Sequence, residues 1–140
     1  TQSMFSLDNE HEAVESEIDR LVEQFELGDV VDDVAEELPH GDRKLLDVAM
    51  SFALDPNYLL LDEPTSGVSE REKQHVISTV VDASKNRGVT TVTIEHDMDI
   101  VTEYSDRVIA LHQGAVHSEG DAEMLETNTE LRRLLLGVEE

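Results

Sequence analysis

No cysteine and no tryptophan occur in these 140 residues, aromatic residues make up 4% of them, and only ten positions are lysine or arginine. Without cysteine there is no disulfide scaffold and no thiolate metal site, an absence consistent with a reducing cytoplasm. The shortage of basic residues matters more. Against 33 acidic residues it leaves a net charge of −23, which argues against nucleic acid as a partner, because phosphate binding needs a basic footprint. No apolar run approaches the ~20 residues of a membrane span, and no signal peptide is visible, so any membrane association is expected to go through partner subunits. Disorder could account for such acidity, but the 39% apolar content falls in clean strand and helix periods. The expectation is a folded protein adapted to molar salt, where a Debye length of ~3 Å screens self-repulsion. A halophilic, archaeal source fits that composition, and the length fits one domain or a fragment of a larger one.

The most informative segment that is present is Leu59-Leu60-Leu61-Asp62-Glu63-Pro64, an apolar strand ending in two carboxylates and a proline. Adjacent acids at the C-terminal edge of a strand suit a nucleotide site, with one holding Mg²⁺ and the other positioning an attacking water. Alone, such a pair reads more readily as an acidic turn after a core strand. Three surrounding features reverse that reading. Upstream, Leu38-Pro39-His40-Gly41-Asp42 leads into apolar positions at 45, 46, 49, 52 and 53, so a glycine-containing turn opens a helix whose N-terminus can face an anion. Downstream, the β-branched strand from Val89 to Ile94 ends in Glu95-His96-Asp97, where open α/β sheets place ligand chemistry. Between them, Ser69 and Glu72 are spaced as a capping box, with Ser69 as N-cap.

In this order and spacing the pieces resemble the C-terminal half of an ATP-binding cassette (ABC) transporter ATPase. The resemblance covers nearly all of the chain. Leu38 to Asp42 corresponds to the family's Leu-Ser-Gly-Gly-Gln signature, Tyr58 to Asp62 to the Walker B strand, and Ser66 to Ser69 to the D-loop. The Leu-Pro-His-Gly form of the signature, Glu95 to Met98, and the run Asp106 to Leu111 with Gln113 and Gly114 are most similar to ATP-binding subunits of branched-chain amino-acid importers, with urea importers close behind. The resemblance implies ATP and Mg²⁺ as cofactors. It makes Asp62 the metal residue and gives Glu63 and His96 catalytic roles, with His40, Gly41, Asp42 and Ser69 in nucleotide contacts. It further implies a second ATP-binding subunit as dimer partner, integral-membrane permease subunits, and a cytoplasmic location on the inner face of the membrane. Pro39 replaces the signature serine, Asp42 the glutamine and Ser69 the usual D-loop aspartate. Asp42 is expected to turn outward and complement its own helix N-terminus, a contribution of ~0.5 kcal/mol.

One motif is missing. The seven glycines stand at 28, 41, 67, 88, 114, 120 and 137, and none precedes a Lys-Ser or Lys-Thr pair, so the chain has no Walker A loop to cradle phosphates. The expected fold class is therefore α/β, a partial P-loop NTPase (RecA-like) core with a parallel sheet and flanking helices, plus an α-helical subdomain. These 140 residues alone are expected to be inactive and to bind Mg-ATP no better than millimolar. The absence of methionine at Thr1 points the same way, to a truncated cassette.

Residues 1–54 are expected to form the helical subdomain portion and 55–140 the C-terminal part of the core. In the first, Ser6 caps a helix with Val14, Ile18, Leu21, Val22 and Phe25 on one stripe, closed by Gly28; a shorter helix runs from about Asp29 to Glu37. In the second, strands are expected at 58–62, 90–95, 107–112 and 115–118, with helices from about Glu70 to Asn86 and from Thr129 to Leu136, the last capped by Gly137. The family's P-loop strand belongs between the strands at 90–95 and 107–112. Its absence predicts either a gap or a closing-up of those two strands.

Overall fold

A computed structural model of the chain describes residues 2–129, 131 and 133. The chain divides into two compact units, 1–93 and 94–140. The boundary expected at 54/55 falls inside the first unit.

The first unit opens with α1 (Gln2–Gln24). Because α1 begins at Gln2, Ser6 lies within it and is not its cap. Only the C-terminal end of its apolar stripe is packed: Leu21 and Phe25 are buried, whereas Val14 and Ile18 are 56% and 51% exposed. The helix closes at Glu26, which takes the left-handed conformation (φ 56°), while the N–H of Leu27 reaches back to the carbonyl of Val22 at 2.9 Å. That is a Schellman closure with a glutamate in the usual glycine position, so Gly28 is not the stop. The helix expected over 29–37 is instead two 3₁₀ turns, Gly28–Val30 and Ala35–Glu37, with no buried residue in either. Asp29, Asp32 and Asp33 are poor helix formers, and Val31 and Val34 stay 56% and 55% exposed, so little burial offsets the ordering of the segment.

Helix α2 (His40–Phe52) starts at Pro39 and buries Leu45, Val48, Ala49 and Phe52. The Phe52 ring meets Phe25 edge-on, with centroids 5.3 Å apart, and the Arg87 guanidinium lies 6.0 Å from its centre. Strand β1 (Tyr58–Asp62) follows. Helix α3 (Glu70–Arg87) carries the expected capping box and closes on Gly88 at φ 67°. Strand β2 (Thr90–Ile94) pairs with β1 in a parallel sheet. The N–H of Thr90 donates to the carbonyl of Asn57 at 3.0 Å, so the two strands start side by side, as a βαβ crossover requires. Leu21, Phe25, Leu45, Phe52, Leu59, Val76 and Val80 belong to one buried cluster.

The second unit holds α4 (Met98–Tyr104), β3 (Val108–His112), β4 (Ala115–Gly120) and α5 (Glu123–Thr127). Strands β3 and β4 form an antiparallel hairpin with an irregularity between Ala110 and Leu111. Both turn residues have positive φ, Gln113 at 49° and Gly114 at 79°, as a two-residue turn of type I′ demands. Its buried cluster is Ala110 and Leu131. Thr129, Leu131 and Arg133 are helical; the remainder of the expected C-terminal helix and its Gly137 cap lie outside the described residues. Among the described residues the strands form two separate two-stranded sheets, β1 with β2 and β3 with β4. Strands β2 and β3 are not hydrogen-bonded to each other among the described residues. The α/β class is as expected, but the parallel sheet is confined to one pair of strands.

Candidate functional site

Strand β1 is covered on one face only. Leu59 is 7% exposed and Leu60 76%, an alternation that sets the strand on the core by every second side chain. The strand delivers Asp62 exposed at its end and Glu63 half-buried just beyond. Glu63 adopts a left-handed backbone conformation, φ 46°, a strained state for a non-glycine residue that costs about 1–3 kcal/mol and clusters at functional sites. A turn closes over it, the N–H of Ser66 donating to the Glu63 carbonyl at 3.0 Å. Pro64 and Thr65, at the centre of the turn, are buried. A sharp, anchored reversal thus presents two consecutive carboxylates at a strand end.

The start of α2 supplies the other candidates in the first unit. Gly41 is buried, His40 exposed and Asp42 half-buried in the first turn. Pro39 is the N-cap and makes no side-chain cap bond. Ser69, at the start of α3, donates its N–H to Glu72 Oε2 at 3.1 Å and its hydroxyl to the same oxygen at 2.5 Å, while its Oγ accepts the N–H of Glu72 at 3.4 Å. The Glu72 side chain also lies beside Gly41, where a Cβ would stand 3.4 Å from Glu72 Oε1. The Ser69 hydroxyl, the Ser69 and Gly41 backbone groups and the nearby His40 together hold the Glu72 carboxyl below the usual carboxylate range. The structure therefore brings Gly41 and Ser69 together through Glu72. Glu72 was visible in the sequence as half of a capping box; its place beside Gly41 was not, because nothing in the spacing joins positions 41 and 72.

His96 belongs to the second unit, exposed in the segment between β2 and α4. Asp97 follows it as the N-cap residue of α4.

Mg²⁺ fits Asp62 in a restricted way. No group of three or more His, Cys, Asp or Glu side chains capable of holding a metal occurs among the described residues. One exposed carboxylate is what a Mg²⁺ ion needs when phosphates and water supply its other oxygens. ATP fits in part, since the chain offers acids at a strand end and helix starts but no glycine-rich cradle. No described helix is long and apolar enough to cross a membrane.

The family described as "ABC transporter" matches residues 2–66. The high-affinity branched-chain amino acid transport ATP-binding protein LivG of Escherichia coli K12 is 31% identical over 103 residues, covering 74% of this chain and 40% of LivG. The probable LivG of Archaeoglobus fulgidus is 32% identical over 134 residues, covering 96% of this chain and 51% of the relative. The crystal structure of the ADP conformation of MJ1267, an ATP-binding cassette of an ABC transporter, superimposes with a TM-score of 0.74 at 25% identity, over 85% of this chain and 48% of that one. The chain spans about half the length of the curated relatives it matches.

Proposed function

We propose, from the premise that this chain is part of an ABC transporter ATPase domain, that its parent polypeptide is the ATP-hydrolysing subunit of an importer for branched-chain amino acids or a related small solute. The observation that carries the reading is the end of β1, where an anchored turn with a left-handed residue presents Asp62 and Glu63 side by side. In this reading Asp62 holds Mg²⁺ through water, and the ion supplies charge neutralisation at the phosphates. Glu63 takes a proton from the attacking water or orients it, a role worth roughly 10²–10⁴-fold. His96 hydrogen-bonds the reacting phosphate and keeps the water in line. His40, Gly41, Asp42 and Ser69 serve the nucleotide held by a second ATP-binding subunit, and the pair works on the cytoplasmic face of the membrane against integral-membrane permease subunits. Residues 1–54 are then the helical subdomain portion and 55–140 the C-terminal part of the catalytic core. The solute assignment rests on likeness to LivG, since an ATP-binding subunit need not touch what is transported.

A second reading is favoured by one observation, the lack of any Walker A sequence in these 140 residues. On their own they are a cassette fragment without turnover, acting only as a binding or dimerisation module. Glu63→Gln in the parent polypeptide separates the two. The substitution keeps shape and removes the base, so phosphate release is expected to fall roughly 10²–10⁴-fold with ATP affinity retained. Turnover within about threefold of the unsubstituted protein would remove Glu63 from the mechanism.

A further inference from the structure

We propose that Arg43 is a positioning residue whose guanidinium clamps the chain entering α2 and so fixes the turn that carries His40 and Gly41. One terminal nitrogen, Nη2, donates to the carbonyl of Glu36 at 2.6 Å and to that of Leu38 at 3.2 Å. The backbone bonds of the segment use other carbonyls: the N–H of Glu37 goes to Val34 at 2.8 Å and that of Arg43 to Pro39 at 3.0 Å. Little else holds this stretch. Between positions 28 and 39 only Leu38 is buried, and neither 3₁₀ turn buries a residue. Pro39, the N-cap, makes no side-chain cap bond. In a chain with 33 acidic residues an arginine readily finds a carboxylate, yet the bonds of Arg43 go to peptide oxygens. Its Nε is buried with no partner among the described residues, and buried N–H groups are normally paired. That unmet donor is the cost of a placement decided by the two carbonyl bonds, both strengthened by the guanidinium charge.

The functional consequence rests on the proposed reading, in which His40 and Gly41 meet the nucleotide of the paired subunit. Both lie between the residues that the guanidinium joins, so the clamp sets the path along which the chain delivers them. Arg43 acts through that turn and in this reading touches no nucleotide itself. Errors of about 1 Å in such positioning are worth up to 10²-fold in rate. Lysine is a poor substitute, since a shorter stem and a point charge replace a planar group with several fixed donors.

Nuclear magnetic resonance on the 140-residue chain tests the clamp directly. Arg43→Gln should shift the carbonyl carbon signals of Glu36 and Leu38 upfield, with amide shifts across α3 unmoved as the sign that the fold is kept. Carbonyl signals that stay in place in the folded variant would overturn the proposal. Should the variant not fold, scalar couplings across the hydrogen bonds of the unsubstituted chain decide instead; they should join Arg43 Nη2 to both carbonyl carbons, and their absence would overturn it. In the parent polypeptide Arg43→Gln and Arg43→Lys should both lower kcat by roughly tenfold with KM for ATP unchanged. Full activity in Arg43→Lys would mean that charge matters and the clamp does not. An unchanged kcat in both variants, or a loss confined to KM, would leave a purely structural bond; each of these results overturns the positioning role. A parent without any ATPase activity counts against the proposed function instead, and the carbonyl result still decides the clamp.

Discussion

The first unit folds around a cluster that includes two interlocked phenylalanines, Phe25 and Phe52, with aliphatic residues from α1, α2, β1 and α3. Among the described residues the second gathers partly buried Met98, Val101, Val108 and Met124 around Ala110 and Leu131, with Ile100 also buried. Its hairpin leaves Ile109, Leu111 and Val116 exposed by 53%, 63% and 63%. The first unit's buried cluster is the larger of the two among the described residues. The two units therefore support their candidate residues unequally. Asp62, Glu63, Gly41 and Ser69 rest on a consolidated core, and His96 does not. The acids at the end of β1 are backed by a larger buried cluster than His96 among the described residues.

The strongest way to break this comparison is to empty the larger core. Phe52 is fully buried, and Phe52→Ala should cost about 3–5 kcal/mol. Hydrogen exchange measured by mass spectrometry in ~2 M KCl should then show protection lost over 40–52 and 70–87, with exchange over 108–120 unchanged. Leu131→Ala should do the reverse, touching only the second unit. Equal loss of protection in both units from either substitution would mean that the chain melts as one cooperative body.

The next effect concerns the surfaces that each unit leaves open. Tyr58, Leu60, Val92 and Ile94 alternate outward from β1 and β2, exposed by 70%, 76%, 53% and 59%, and unpaired strand edges recruit other chains. With surface repulsion screened at ~2 M KCl, the 140-residue chain is expected to self-associate in sedimentation equilibrium. If the first unit's sheet is the contact, Leu60→Asp should weaken association by roughly 10- to 100-fold, the equivalent of one large apolar side chain left in water. If the hairpin is the contact, Leu111→Asp should do so and Leu60→Asp should not. A clean monomer with a cooperative melting transition would refute both routes.

How much of this was legible depended on whether the signal was local. Strand β1 was readable to the residue, because its apolar run stops at Asp62; α3 was readable from Ser69, Glu72 and Gly88, whose types match the cap geometry they adopt. The end of α1 was misread because Glu26, not Gly28, takes the left-handed position, and tertiary burial of Leu27 beside it overrides the steric preference for glycine. The left-handed backbone at Glu63 carries no sequence signal, since a glutamate is not a residue that turns demand. The approach of Glu72 to Gly41 joins residues 31 positions apart, a distance no periodicity spans. Of the site, the acids, the glycine turn and the serine cap were readable as residues; their mutual arrangement was not.

The smallest effect tests charge at a helix start, where the units are alike. Helices α2 and α4 both begin without a side-chain cap bond at the N-cap position, and each has one acid in its first turn, Asp42 and Asp99. A carboxylate there complements the positive end of the helix dipole by ~0.5 kcal/mol. In a chain of net charge −23, removing any acid also relieves self-repulsion, so Asp42→Asn alone would mix two opposed terms. Asp47 provides the control, being exposed on α2 one turn beyond its first. At low salt Asp42→Asn should be less stable than Asp47→Asn by ~0.5 kcal/mol, read from denaturant midpoints. In ~2 M KCl, where the Debye length falls to about 3 Å or less, the difference should vanish. Repulsion from other acids of this highly acidic chain opposes the dipole. Should Asp42→Asn prove the more stable variant at low salt, that repulsion would outweigh the dipole, and the outward, helix-complementing reading of Asp42 would be lost.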